Sequence, residues 1–298
     1  MPTLVQGGTV YIHDGFDANR VLKSIEEDKI TVLWLVPTMI YVLLDHPDLA
    51  TTDTSSLGLV VYGASPMSPT RLKDALEHFG PIFMQIYAQT EAPMNVTTLN
   101  TRDHDLSRPE RLASCGQPQI GVQVAMLDDD CNEVPFGEVG EICVRGQLVM
   151  EGYWKRPEET AEALKGGWLH TGDMGRVDEE GFVYIVDRKK DMIISGGFNV
   201  YPKEVEDVLT SHPDVGQAAV IGVPDEKWGE AVKAVVIPKP GATVDADALI
   251  AMVKAQKGPV LTPKTLDVVA EIPLTPVGKP DKKALKAQFW QGSDRQVH

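Results

Sequence analysis

Between Asp17 and Tyr87 the chain alternates segments of helical apolar spacing with short uninterrupted apolar runs. That alternation favours a layered α/β fold with a parallel sheet. "DANRVLKSIEEDKI" places Val21, Leu22, Ile25 and Ile30 at helical intervals behind a capping Asp17. "TVLWLV" reads as a buried strand that stops at Pro37, and "PTMIYVLLDHP" as a helix with Met39, Ile40, Leu43 and Leu44 on one face. "LGLVVYG" is the next buried strand. "SPTRLKDALEHFG" is a helix with Ser68 as its cap, Pro69 in its first turn and Gly80 past its end, and the strand "IFMQIY" follows. Upstream, "GGTVYIHDGF" reads as a strand and turn already under way, with Tyr11 and His13 alternating against Val10 and Ile12.

After Thr97 the helical period disappears. "GVQVAMLDDDCNEVPFGEVGEICVRG" is rich in β-branched and turn residues and predicts a small antiparallel β-unit. "RPEETAEALKGGWLHTGD" predicts a short helix followed by a tight turn holding Asp173, and "GFVYIVDRKK" a further strand. Beyond Lys190 a new α+β unit is expected. It comprises the helix "YPKEVEDVLTSHPDV", strands in "GQAAVIGVPD" and "EAVKAVVIPKPG", the helix "DADALIAMVKAQKG", one more strand, a Pro/Gly/Lys loop and a terminal helix. The junction falls at Asp187–Asp191, which divides the chain into 1–189 and 190–298.

A net charge of −15 excludes the basic footprint of a nucleic-acid binder and disfavours docking on an anionic membrane. No apolar run is long enough to span a bilayer. Cys115, Cys131 and Cys143 have no Cys-x-x-Cys spacing, which suggests a reducing compartment, the cytoplasm, and no zinc site.

Four stretches carry candidate chemistry. Gly63, Ala64 and Ser65 end a strand with residues small enough for backbone to approach a flat ligand, although a strand-to-helix turn also needs compact residues. Tyr87, Gln89, Thr90 and Glu91 offer an aromatic face, a hydroxyl and a carboxylate. These suit a base, a phosphate oxygen and Mg²⁺, or else a capping pair beside a core tyrosine. Asp173 could take both hydroxyls of a ribose, with Arg188 one strand later reaching the same sugar or a phosphate. The alternatives are a turn aspartate and a surface ion pair. Lys279, in the loop "PLTPVGK", is either a mobile charge for a developing anion or a solvated lysine.

Taken in order, these segments resemble the adenylate-forming superfamily of acyl- and aryl-CoA synthetases, luciferase and peptide-synthetase adenylation domains. The resemblance covers almost the whole chain. It rests on Gly63-Ala64-Ser65, Tyr87-x-Gln89-Thr90-Glu91, "GEICVRGQLVMEGYW", Thr171-Gly172-Asp173, "DRKKDMIISGGFNVYPKEVE" and "PLTPVGK". The long "SGGFNVYPKEVE" form is most similar to fatty or aromatic acid–CoA ligases.

The resemblance implies an ATP-dependent ligase that forms acyl-AMP from a fatty, aryl or alicyclic acid and then a thioester with coenzyme A. It implies that Asp173 grips the ribose of ATP or AMP with help from Arg188, and that Gly63, Ala64 and Tyr87 hold adenine, beside Ser65 and Gln89. Thr90 would contact phosphate and Glu91 would bind Mg²⁺. Lys190 would be the hinge of a small mobile C-terminal domain, and Ser195, Gly196 and Gly197 would border the pantetheine tunnel. Trp228-Gly229-Glu230 would ride on the mobile domain, and Lys279 would act in the first half-reaction.

Two departures from the family pattern stand out. Ala88 occupies a position where the family usually has glycine. The family's Ser/Thr/Gly-rich phosphate loop ending in lysine has no counterpart in this chain, whose backbone N–H groups would otherwise cradle a triphosphate. The expectation is therefore a partial large domain, an internal Met1 and little activity from this chain alone. A truncated, non-catalytic relative binding nucleotide, CoA or a protein is the alternative, and association through the exposed apolar surface is expected.

Overall fold

The computed structural model describes residues 2–65, 67–275 and 280–289. The chain forms two compact units, one of residues 1–86 and 100–112, the other of 87–99 and 113–298. The junction expected at 187–191 lies inside the second unit.

The first unit contains α1 (Pro2–Val5), α2 (Ala18–Glu27), β1 (Val32–Leu35), α3 (Pro37–Leu44), β2 (Leu59–Gly63), α4 (Pro69–Phe79) and the start of β3 (Phe83–Gln89). Asp17 caps α2 by accepting the Arg20 N–H at 2.8 Å. The three strands pair in parallel, in register Val32↔Leu59 and Val60↔Phe83, so each connection is a helical crossover. Ile40, Val60, Tyr62, Leu72 and Phe83 fill one cluster, and Leu22, Ile25, Leu43 and Leu57 another.

Three local expectations change. Residues 8–13 form no strand, and Ile12 is 87% exposed, because alternation without a neighbouring ladder fixes no pairing. β1 is covered on one face only: Leu33 and Leu35 pack inward, whereas Val32 and Trp34 are 43% and 63% exposed. An uninterrupted apolar run does not reveal whether one face or two will be covered. Ser68 stands at the cap of α4, but its side chain makes no cap bond, and its N–H donates to the Tyr41 hydroxyl at 2.8 Å.

The second unit continues with β4 (Ala92–Leu99), β5 (Gln117–Pro118), β6 (Val122–Leu127), β7 (Gly140–Gly146), α5 (Pro157–Ala163), β8 (Leu169–Val177) and β9 (Val183–Arg188). β6 to β9 form a four-stranded antiparallel meander. Then come β10 (Ile193–Ser195), β11 (Phe198–Val200), α6 (Pro202–Thr210), β12 (Val215–Asp225), β13 (Gly229–Pro238), α7 (Ala246–Leu261), β14 (Thr265–Val268) and α8 (Lys282–Ala287). This second sheet runs β11-β10-β13-β12, with β14 parallel to β13. α6 and α7 close its core through Val205, Leu209, Leu249 and Val253 against Val220, Val232 and Val236.

The architecture is α/β, with a parallel-sheet layer, a small antiparallel β-unit and a C-terminal α+β part. Among the described residues, no helix is long and apolar enough to cross a membrane.

Candidate functional site

Asp173 lies within β8 rather than in a tight turn. The Thr-Gly-Asp sequence suggests a turn, and Gly172 does adopt φ +69, but this left-handed residue serves a bulge. β7 pairs Glu141 with Met174 and Cys143 with His170, so Ile142 alone faces Thr171, Gly172 and Asp173. Side chains satisfy the interrupted ladder. Thr171 Oγ1 donates to the Ile142 carbonyl at 2.6 Å and accepts the Asp173 N–H at 3.1 Å. Glu141 Oε1 accepts the Gly172 N–H at 2.9 Å.

The bulge turns the Asp173 carboxylate into a cluster of donors. Tyr87 Oη donates to Oδ2 at 2.7 Å, and Gln89 Nε2 donates to the same oxygen at 2.8 Å and to the Thr171 carbonyl at 2.9 Å. Arg188, the register partner of Asp173 on β9, places Nε 2.7 Å from Oδ1. Asp173 is 3% exposed. Burial raises its pKa, against the opposing pull of the Arg188 charge and of the Tyr87 and Gln89 hydrogen bonds. Burial, and then the Asp173 charge, push the Tyr87 phenol well above its ordinary value, so it stays a neutral donor. A carboxylate offers about four lone-pair sites. Tyr87, Gln89 and Arg188 occupy three of them, which leaves a site on Oδ1 for a ligand hydroxyl.

Thr90 and Glu91 form the turn between β3 and β4, and Thr90 is exposed. Glu91 Oε1 accepts the Tyr153 hydroxyl at 2.8 Å, and the Glu91 carbonyl accepts the Met150 N–H at 2.8 Å. A carboxylate held by one oxygen is a hard donor of the kind that Mg²⁺ takes alongside phosphate oxygens.

Gly63, Ala64 and Ser65 end β2 in the first unit. A Cβ on Gly63 would lie 2.4 Å from the Ile86 carbonyl oxygen, so the backbone approach there requires glycine. Ala64 is exposed and holds φ +65.

Ser195, Gly196 and Gly197 lie where β10 turns back to β11, the two glycines at φ +59 and +81. The Trp228 indole packs so closely on Gly196 that a Cβ would meet it at 2.5 Å, and the Gly196 N–H donates to the Trp228 carbonyl at 2.8 Å. Lys190 is exposed in a short helical turn after β9. Asp187, just before it, caps α6 by accepting the Lys203 N–H at 2.7 Å. Lys279 lies outside the described residues.

The structure thus joins Tyr87, Gln89, Asp173 and Arg188 directly. Sequence reasoning missed Glu141, Thr171 and Tyr153, which hold the bulge and Glu91. All three stand inside conspicuous stretches, Glu141 and Tyr153 in "GEICVRGQLVMEGYW" and Thr171 in Thr171-Gly172-Asp173, but nothing in their spacing names their partners.

Residues 1–154 match the AMP-binding enzyme family, and residues 204–279 match the AMP-binding enzyme C-terminal domain. The chain belongs to the AMP-binding enzymes. It is 54% identical over 303 residues to a medium/long-chain-fatty-acid–CoA ligase, FadD8, of Mycobacterium tuberculosis, covering 99% of this chain and 52% of that one. It is 42% identical to a feruloyl-CoA synthase of an Amycolatopsis species, covering 97% of this chain and 58% of that one. Among solved structures it is similar to the amide bond synthetase McbA of Marinactinospora thermotolerans, with a TM-score of 0.90 and 44% identity over 96% of this AMP-binding enzyme and 58% of McbA. The chain spans about half the length of the curated relatives it matches.

Proposed function

We propose that this chain carries the nucleotide and thiol sites of an ATP-dependent acid–CoA ligase. In the first step a carboxylate attacks the α-phosphorus of ATP to give acyl-AMP and pyrophosphate. In the second, the coenzyme A thiol attacks the acyl carbon and AMP leaves. The observation that carries the reading is the buried Asp173 carboxylate, oriented by Tyr87, Gln89 and Arg188 at the bulge of β8. A ribose hydroxyl would bond Asp173 Oδ1, and a second would be accommodated as Arg188 or Gln89 yields its bond. Tyr87 would hold adenine, and Thr90 a phosphate oxygen.

Glu91, fixed by Tyr153, would hold Mg²⁺, which supplies charge neutralisation at the phosphates when bound. Residues 1–189 would belong to the large domain and 190–298 to a small domain turning at Lys190. That motion would exchange Lys279, needed as acid attacks phosphate, for the Ser195-Gly196-Gly197 face, needed for the thiol. The named relatives favour a medium- or long-chain fatty acid or an aryl acid. The chain carries no glycine/serine-rich phosphate loop, so by itself it should adenylate little.

Calorimetric titration of AMP into the 298-residue chain tests the site. Asp173→Ala should weaken AMP binding at least about tenfold, the loss of roughly one charge-assisted bond, with the melting transition retained. Equal binding by the variant and the parent would overturn the assignment. A panel of fatty and aryl acids, each assayed for pyrophosphate exchange and for thioester or amide formation, separates the CoA acceptor from an amine.

A further inference from the structure

We infer that Glu141, Cys143 and His170 form a binding site for one divalent transition ion of the zinc class, at the foot of the bulge that presents Asp173. The spacing of cysteines along the chain gives no sign of it, because the ligands come from two strands. Glu141 and Cys143 are two residues apart on β7 and project from the same face, and His170 is the register partner of Cys143 on β8. Strand pairing therefore brings carboxylate, thiol and imidazole together, with their ligand atoms all within 4.8 Å of one another. The site is enclosed: Cys143 is 0% exposed and Glu141 6%.

Two of the three separations lie near those around a tetrahedral ion. Zn–S of about 2.3 Å and Zn–N or Zn–O of about 2.0 Å set ligand–ligand edges of roughly 3.3–3.6 Å. Cys143 Sγ lies 3.4 Å from His170 Nδ1, and Nδ1 lies 3.1 Å from Glu141 Oε2. The carbonyl of Lys165, 3.2 Å from His170 Nε2, can accept from that nitrogen, and in that tautomer Nδ1 offers its lone pair toward Cys143 and Glu141.

The supporting bonds are of the kind that orient metal ligands: a backbone carbonyl behind the imidazole, and the Gly172 N–H on the other oxygen of Glu141. Cys131 is not part of the set, because its sulfur lies beyond the opposite ring nitrogen, 3.8 Å from Nε2.

Lys189 is the built-in competitor. Its ammonium sits 3.2 Å from Glu141 Oε2 and 2.7 Å from Asp129, whose side chain is 88% exposed. An incoming ion would displace Lys189 toward Asp129 and the Cys143 thiol proton to solvent. A sulfur–metal bond forms, an S–H bond breaks, and one proton is released per ion.

The test uses the chelator-treated 298-residue chain, with Zn²⁺ and Co²⁺ as probes. One equivalent of Co²⁺ should produce a thiolate-to-cobalt charge-transfer absorption. Cys143→Ser should abolish that band and weaken Zn²⁺ binding at least about tenfold, whereas Cys131→Ser should leave both unchanged. Lys189→Met should tighten Zn²⁺ binding several-fold, a gain that misfolding cannot mimic. The proposal is overturned if the band persists in Cys143→Ser or vanishes in Cys131→Ser. It is equally overturned if Lys189→Met binds Zn²⁺ no more tightly than the parent.

Discussion

Asp173 is a charge placed where water is scarce, and three donors hold it there. Its folded pKa is raised, above the roughly 3.9 of an exposed aspartate. The favourable contribution of Asp173 to folding is therefore complete below the unfolded value and is lost as pH rises through the folded one. Ligand binding runs the other way. The ionised form accepts hydroxyls and pairs with Arg188, so AMP affinity should fall with acidification at a pH above that of a free aspartate. Dissociation constants measured from about pH 7 down to about pH 4 check this, and Asp173→Asn should flatten the profile. At this scale much was legible: Asp173, Arg188, Tyr87 and Gln89 stand out as chemically apt residues. The Tyr87 hydroxyl bond to Asp173 was not, because it joins residues 86 positions apart and no local pattern encodes that closure.

At the scale of elements, strong periodicity read correctly. α2 with its Asp17 cap, α4, α6 and the long β12–β13 pair lie where apolar spacing and punctuation put them. The misreadings share a cause. Whether an extended stretch becomes a strand depends on a distant ladder, which the segment at 8–13 lacks and which the Thr171–Asp173 segment has. α6 and α8 are tied by Lys282, 2.9 Å from Glu206, with less than a fifth of either side chain exposed. Burial disfavours the Lys282 ammonium, but the surrounding charges of Glu206, Asp187 and Asp191 outweigh it and raise its pKa. Glu206 also accepts the Val220 N–H at 2.8 Å. Glu206→Ala leaves a largely buried ammonium and a buried N–H without that acceptor. It should cost about 3–5 kcal/mol in urea unfolding, and an apolar pair such as Glu206→Leu with Lys282→Met should recover much of this. An equally stable Glu206→Ala chain would show that the pair is solvated.

At the scale of the molecule, the first unit displays Val32 and Trp34 on β1 and Ile12 upstream, all large apolar side chains in water. Such surface favours contact with another surface. Sedimentation of the chain at rising concentration should show a growing mean mass, and Trp34→Lys should suppress it. A mass that stays monomeric in the parent would remove this expectation. The family and both matched regions were legible from short ordered stretches. The compact units divide between Ile86 and Tyr87, inside β3, where no turn residue marks a boundary.

The proposed contact between the Asp173 carboxylate and a ribose is open to a ligand–residue cycle. AMP and 2′,3′-dideoxy-AMP are titrated into the parent chain and into Asp173→Ala. The parent should prefer AMP by at least about tenfold, equivalent to about 1.4 kcal/mol, and the variant should bind both alike. A parent that does not distinguish the two nucleotides, or a variant that still prefers AMP to the same extent, would contradict the account.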